Sequence, residues 1–476
     1  MVAINLNLCC WALSAVMPRL VSYPDSTVYS TSLQSYWSQQ EVHVTPSCVV
    51  SPTTAPEVSL AVKTLTTLGF CKFAVRSGGH TPFAGSANMA TGVTIDLAAL
   101  NQITLSADKS LVTIGPGQRW GNVYAELEPL GLAVAGGRSS SIGVGGLTLG
   151  GGTFYFAPRE GFTCDNVESF EVVLADGSIV TADAVENSDL FVALKGGSNN
   201  FGIVTQITYR TFALGPIWAG NIIYPVSTVA QNIQAFSDFI SAPNFDQNAS
   251  MMQTFGYTAG FGGAIVNAPV YAAPVVNPPA FQNFTAIQPQ MENTMAITTL
   301  SNTSIALDAS SPGGFYQILA SITIENDVQT LQTVFDLWNT SCADIANVSG
   351  IVWTITTQPI NNAVLSKTTG LGNSLGLPTS APSGSFIIVE LAATWSQAND
   401  STLVTTSANE LIGDITAAAK ALGTWNRYID LNHATTGQDP ISSYGPTVKA
   451  KLLAVSKKYD RHGVFQKLVT GGFKLR

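Results

Sequence analysis

The sequence predicts an α+β fold in which sheets carry helices on one face. Three observations predict it. Short apolar runs of strand length, such as KFAV, IIYPV, IVWTI and FIIVELAATW, alternate with helix-period stretches such as LQTVFDLWN and LIGDITAAAKAL. Apolar residues fill 46% and charged residues only 11% of the 476 positions, so the chain can bury large cores, and its length favours about two or three domains. Glycine is concentrated behind strand-like runs, which marks backbone that must approach something closely.

Taken from the N-terminus, MVAINLNLCCWALSAVM is apolar like a secretory signal, but it lacks a basic start, carries Asn5 and Asn7, and is too short to span a bilayer. Cys9 and Cys10 would leave with such a signal. Thr54-Ala-Pro-Glu57 reads as a capping box opening a helix with Val58, Ala61, Val62 and Leu65 on one face. Cys48 and Cys71 precede the strand-like runs CVV and KFAV, so a disulfide between neighbouring strands is expected in an oxidising compartment. Cys164 and Cys342 complete the set. No Cys-x-x-Cys or Cys/His spacing occurs, and no metal site is expected.

The strand Phe73 to Val75 breaks into Arg76-Ser-Gly-Gly-His80. Gly78 and Gly79 can bring backbone N–H groups against a phosphate, with an imidazole beside them. A second glycine run, Gly136 to Gly152, follows an amphipathic helix made by Trp120, Val123, Tyr124, Leu127 and Leu130 and closed at Gly131. This run interleaves glycine with Ile142, Val144, Leu147 and Leu149, unlike a polar linker, and implies backbone packed on a flat or pyrophosphate-bearing ligand. Thr148 breaks a G-x-G-x-x-G reading from Gly143 and no G-K-[ST] follows, which excludes the familiar dinucleotide and P-loop patterns. Asp176-Gly177 marks a hairpin turn, while VYAAPVVNPPAF and LGLPTSAPSG read as surface loops.

Together these stretches resemble the PCMH-type FAD-binding domain of the vanillyl-alcohol-oxidase superfamily, over about Val42 to Phe212. The motifs FAVRSGGHTPFAGS, VTIGPGQRWGNVYAEL, SSSIGVGGLTLGGG, TCDNVESFEVVLADGSIVTA and LFVALKGGSNNFGIVTQITYRTF carry the resemblance in order. The tail ISSYGPTVKAKLLAVSKKYDRHGVFQKLVTGGFKL is similar to the C-terminal segment of fungal berberine-bridge-enzyme-like oxidoreductases. The resemblance implies an N-terminal segment (1–41), a two-subdomain FAD-binding domain (42–213), an antiparallel, helix-backed substrate domain (214–425), and a C-terminal segment (426–476) returning to the FAD domain.

It also implies the site. His80 matches the histidine bound covalently to the flavin 8α-methyl, and Arg76, Ser77, Gly78 and Gly79 surround it. Ser139 stands where many members place a second, cysteinyl link, so a single covalent bond is expected. Ser139, Ser140, Ser141, Gly143, Val144, Gly145 and Gly146 would line the flavin, with Asp165, Asn166, Asn200, Gly202 and Ile203 holding the rest of FAD. The family often draws its base from a Tyr-x-Asn motif. Asn432 matches the asparagine, but Asp430 replaces the tyrosine and His433 the following aromatic. Asp430 or His433 could serve as base, as could Tyr428 or Tyr444, and an unperturbed histidine pKa near 6.5 suits the task. Glu160 replaces a common tyrosine, so substrate specificity does not carry over.

A net charge of -9 and scarce Lys and Arg argue against nucleic acid or an anionic membrane and favour a small, mostly uncharged substrate. Asn-x-Ser/Thr sites at Asn248, Asn283, Asn302, Asn339, Asn347 and Asn399 favour the secretory pathway over the cytoplasm. The expected activity is oxidation of a small alcohol, phenol or secondary metabolite by hydride transfer to FAD, with O2 as acceptor. The alternatives are an oligosaccharide oxidase of the same family, which needs an aromatic-lined groove, and a flavin-holding binder or non-redox cyclase.

Overall fold

The computed structural model describes residues 2–368 and 370–475. Among these, the first subdomain is a four-stranded sheet in which Cys48–Val50 and Phe73–Arg76 flank Val93–Asp96 in parallel, with Val21–Ser22 antiparallel at the edge. The helix Ala55–Leu68 packs on it. Its capping box forms as the sequence predicts: Glu57 N donates to Thr54 Oγ1 (3.4 Å) and Thr54 N to Glu57 Oε2 (3.1 Å). Val58, Ala61, Val62 and Leu65 are fully buried, in one cluster with Leu13 and Met17.

Leu13 comes from the helix Val2–Val16, and that helix overturns the expected disulfide. Cys9 bonds Cys71 and Cys10 bonds Cys48. The strands behind Cys48 and Cys71 are not neighbours, because Val93–Asp96 lies between them. Two strand spacings come to about 9.6 Å, beyond the reach of one disulfide. The N-terminal helix is therefore stapled into the first subdomain. Cys164 and Cys342 are free and buried.

The second subdomain is an antiparallel sheet in the order Ile103–Leu105, Leu111–Ile114, Ile203–Arg210, Val167–Val173, Ile179–Asp183. Asp176-Gly177 turns its last hairpin, Gly177 at φ +78°. The helix Trp120–Leu127 buries Trp120, Val123, Tyr124 and Leu127, and a 3-10 turn, Glu128–Leu130, carries it to Gly131. Within the glycine run, Val144–Leu149 forms a helix because Val144, Leu147 and Thr148 find buried places beneath it.

The third sheet is large and antiparallel, centred on Ala249–Thr258, Val352–Asn361, Ser385–Trp395 and Tyr316–Glu325, in the part of the chain expected to form the substrate domain. The helices Val229–Ile240, Val328–Ile345 and Ser401–Leu422 back one face, burying Phe255, Trp353, Ile355, Val389, Leu391 and Ile322. The alternate residues of the same strands face the other way, toward the FAD domain. The C-terminal segment does return: Phe73 N donates to Leu468 O (3.0 Å), and Asn200 Nδ2 to Phe473 O (2.9 Å). The two proline-rich loops are less superficial than their composition suggests, since Phe281 and Leu375 are fully buried. Leu375 fills the space beside Gly151 and Gly196. No described helix is long and apolar enough to cross a membrane.

Candidate functional site

A cavity of about 410 Å³ lies between the glycine turns and the open face of the large sheet, within the range of about 300–1,000 Å³ usual for ligand sites. Its first wall is two turns pressed together. A Cβ on Gly78 would stand 2.4 Å from Gly143 Cα, and one on Gly143 would stand 2.4 Å from Gly78 Cα, so neither position admits a side chain. Arg119 clasps both turns, donating to Gly78 O (3.1 Å) and Ser141 O. Gly145 N donates to Ser77 Oγ (3.2 Å), while Gly146 faces open space.

His80 sits beside this wall, its ring stacked on Trp37 at 4.2 Å and 12°. Its Nε2 is sealed from water and has no hydrogen-bond partner. Burial, seconded by the Arg119 guanidinium, pushes its pKa down to about 4, so the ring is neutral at physiological pH. An orphaned, neutral imidazole nitrogen beside a side-chain-free backbone wall fits the flavin that the sequence implies. Ser139 Oγ donates to Asp308 Oδ1, as does Ser141 Oγ, tying the loop to the helix Leu300–Ala309 of the substrate domain. Burial alone would raise the Asp308 pKa. The serine bonds outweigh it and hold the carboxylate below its usual range.

The opposite wall holds the titratable cluster. His433 Nδ1 lies 2.8 Å from Asp430 Oδ2, and its Nε2 is 3.7 Å from Glu390 Oε2. Glu390 also accepts from Gln358 Nε2. Burial disfavours the imidazolium, but Glu390 and Asp430 outweigh it, and the His433 pKa is raised above 6.5. Because Asp430 accepts only, Nδ1 carries the hydrogen and Nε2 is left to take a proton. Asn432 bridges the walls: Gly152 N donates to its Oδ1 (3.1 Å) and its Nδ2 to Gly146 O (3.4 Å).

The sequence-predicted residues divide by position. His80, Ser77, Gly78, Gly79, Ser139, Gly143, Gly145, Gly146, Gly202, Ile203, Asn432 and His433 line the cavity. Arg76 lies behind the turn, paired with Asp96 (3.2 Å) and stacked over Tyr36. Ser140, Ser141 and Val144 face away from the lining. Asp165, Asn166 and Asn200 stand outside it for a common reason: their side chains hold protein. Asp165 accepts from Asn373 and Thr368, Asn166 caps Glu160 O and Phe162 O, and Asn200 binds the C-terminal segment. Asp430 sits one layer behind His433. Tyr428 and Tyr444 stack on each other in the core, and Glu160 pairs with Arg159.

Sequence reasoning missed Trp37, Arg119, Arg138, Asp308, Gln358 and Glu390. Glu390 had a signal, being the single charge in the apolar run FIIVELAATW.

A family model described as FAD binding domain matches residues 46–183. The chain is 36% identical over 480 residues to the FAD-dependent monooxygenase drtC of Aspergillus calidoustus, covering 98% of this chain and 90% of that protein. Against the FAD-dependent monooxygenase sdcF of Emericella nidulans it is 35% identical over 98% of both. It is also 38% identical, over 97% of its length, to Oligopeptidase PhomG' of Diaporthe leptostromiformis, but spans only 37% of that longer protein. Among solved structures, the glucooligosaccharide oxidase of Acremonium strictum shares the fold at TM-score 0.78 and 19% identity, over 99% of this chain and 98% of the other. The berberine bridge enzyme of Eschscholzia californica does so at 0.77 and 14%, over 96% and 97%. Relatives this similar along nearly the whole of both chains place the protein in their family of FAD-dependent oxidoreductases, built on the fold of the berberine bridge enzyme.

Proposed function

We propose that the protein oxidises a small alcohol, phenol or related secondary metabolite, using FAD tethered through His80 and O2 as final acceptor. One observation carries the reading: a carboxylate-backed histidine base faces the side-chain-free glycine wall across a single cavity. When bound, FAD supplies an acceptor for two electrons as hydride, and a histidyl tether raises its appetite for them. The chain supplies the rest. His433 Nε2 takes the proton of the substrate hydroxyl as the C–H bond breaks with its electron pair and a C=O bond forms. Asp430 holds the ring in the required tautomer, and Glu390 steadies the imidazolium.

The sheet face offers Thr254, Thr354, Thr356, Gln358, Thr394 and Gln317, polar and uncharged. Among the described residues the aromatics of the lining, Trp37, Phe83, Phe465 and Phe473, all lie outside the sheet, whose face offers no ring for stacking a sugar, and this favours the metabolite over the oligosaccharide reading. The two disulfides, with five exposed sequon asparagines and a half-buried Asn248, support passage through the secretory pathway.

The test is an absorption spectrum before and after acid precipitation. Yellow colour should stay with the wild-type pellet and move to the supernatant, or vanish, in His80→Ala. Product analysis under labelled O2 then separates dehydrogenation, which leaves no label in product, from the oxygen insertion for which the relatives are named. Well-folded protein with no flavin would sink the reading.

A further inference from the structure

Arg138 is a cation of the cavity whose charge the protein does not answer. Its backbone is pinned. Gly136 and Gly137 press so closely on the Trp120 ring that an added Cβ would stand 2.3 Å and 2.5 Å from it, Tyr124 Oη donates to Gly137 O (2.7 Å), and Tyr155 Oη donates to Arg138 O (3.2 Å). The side chain leaves this fixed point into the cavity. Among the described residues its one side-chain hydrogen-bond partner is Met252 Sδ, 2.6 Å from Nη1. A thioether is a weak acceptor, whereas a guanidinium carries five donors in a fork shaped for a carboxylate.

The nearby carboxylates are engaged elsewhere. Glu390 faces Gln358 and His433, Asp430 holds His433 Nδ1 and Asn432 N (3.1 Å), and Asp308 holds Ser139 and Ser141. Among the described residues none of them forms an ion pair with Arg138. The remaining lining on the sheet side is neutral, and a half-dehydrated cation without a partner is costly to keep. Arg138 also acts electrostatically on His433, depressing its pKa against the two carboxylates, so guanidinium and base share one field.

We infer that the substrate carries a carboxylate, which docks on Arg138 while its reacting hydroxyl faces His433. The inference rests on the oxidase reading and narrows it: the substrate is an otherwise neutral molecule with one anionic end. Arg138 thereby fixes which end enters first and which carbon meets the flavin.

The test titrates flavin-loaded protein with benzoate and with benzamide, equal in shape and different in charge, reading the perturbation of the flavin spectrum. Benzoate should bind at least about tenfold tighter, the worth of one good charge-assisted pair. The preference should weaken in salt, disappear in Arg138→Gln and return in part in Arg138→Lys, with flavin content unchanged throughout. Equal binding of the two probes, no response to benzoate, or a preference surviving Arg138→Gln would overturn the inference. So would loss of flavin in Arg138→Gln, which would assign the guanidinium to the cofactor. Wild-type protein without flavin sinks the oxidase reading instead, and benzoate binding by calorimetry then judges Arg138 separately.

Discussion

At His433 the two ring nitrogens have different work, one held by Asp430 and the other turned to the cavity. Replacing it with asparagine should leave flavin content intact and slow flavin reduction by about 10²–10⁴-fold, the usual worth of a general base. If His433 is the base proposed above, it works when neutral, and its raised pKa means that the reduction rate should rise with pH through a value above 6.5. The Glu390 charge is one of the causes raising that pKa, so Glu390→Gln should shift the profile toward lower pH. A rapid-reaction pH series on the two proteins checks both, and an unmoved profile would remove Glu390 from the pair. The stability effect has the opposite sense, because a raised histidine pKa stabilises below the unfolded value and the gain fades as pH climbs through the folded one. The glycines and His80 were legible because turn geometry is local. Glu390 was not, since only the pairing of Ser385–Trp395 with Tyr316–Glu325, which sets Glu390 opposite Ser321, brings it to His433, 43 positions away in the chain but adjacent in the cavity wall.

The helix Leu300–Ala309 is the element that ties the glycine-run wall of the cavity to the rest of the chain. Ser301 N donates to Glu128 Oε2 (3.1 Å), Ser140 N to Ser304 O (3.1 Å), and Asp308 gathers two serine hydroxyls. Ser139 and Ser141 are thus both held to this helix by hydrogen bonds. Asp308→Ala should cost about 1.5–3 kcal/mol at that contact, the range for bonds to a charged group. In a His80→Ala background it should release flavin at lower urea, read by flavin fluorescence; an unchanged midpoint would mean the loop holds its shape alone. This helix lies in the stretch that carried no motif. Its amphipathic signal is weak because it buries Leu300, Ser301 and Ser304, small polar residues chosen for close approach. The helix Ala55–Leu68 was legible from its cap and its apolar stripe together.

For the molecule as a whole, the disulfides decide how the N-terminus is treated. They close separations of 62 and 38 residues, and chain entropy assigns each roughly 4 kcal/mol, with measured losses of about 2–5. Cys9→Ser and Cys10→Ser should each lower the thermal midpoint, and a non-reducing peptide map should return Cys9 with Cys71 and Cys10 with Cys48. A mature N-terminus beginning after Cys10 would contradict the pairing. The sequence showed six cysteines and an apolar leader-like stretch, but which partners meet depends on Val93–Asp96 entering between two strands, an event outside any local window.

The large sheet divides its labour by parity. Phe255, Trp353, Ile355, Leu391 and Ala393 hold the helices, while Thr254, Thr354, Thr356, Ala392 and Thr394 on the same strands line the cavity. The core and the cavity are therefore written on opposite sides of one ribbon. Such a scaffold lets single exchanges at even positions of these strands, or at their odd counterparts across the ladder, reshape the cavity without renegotiating the fold.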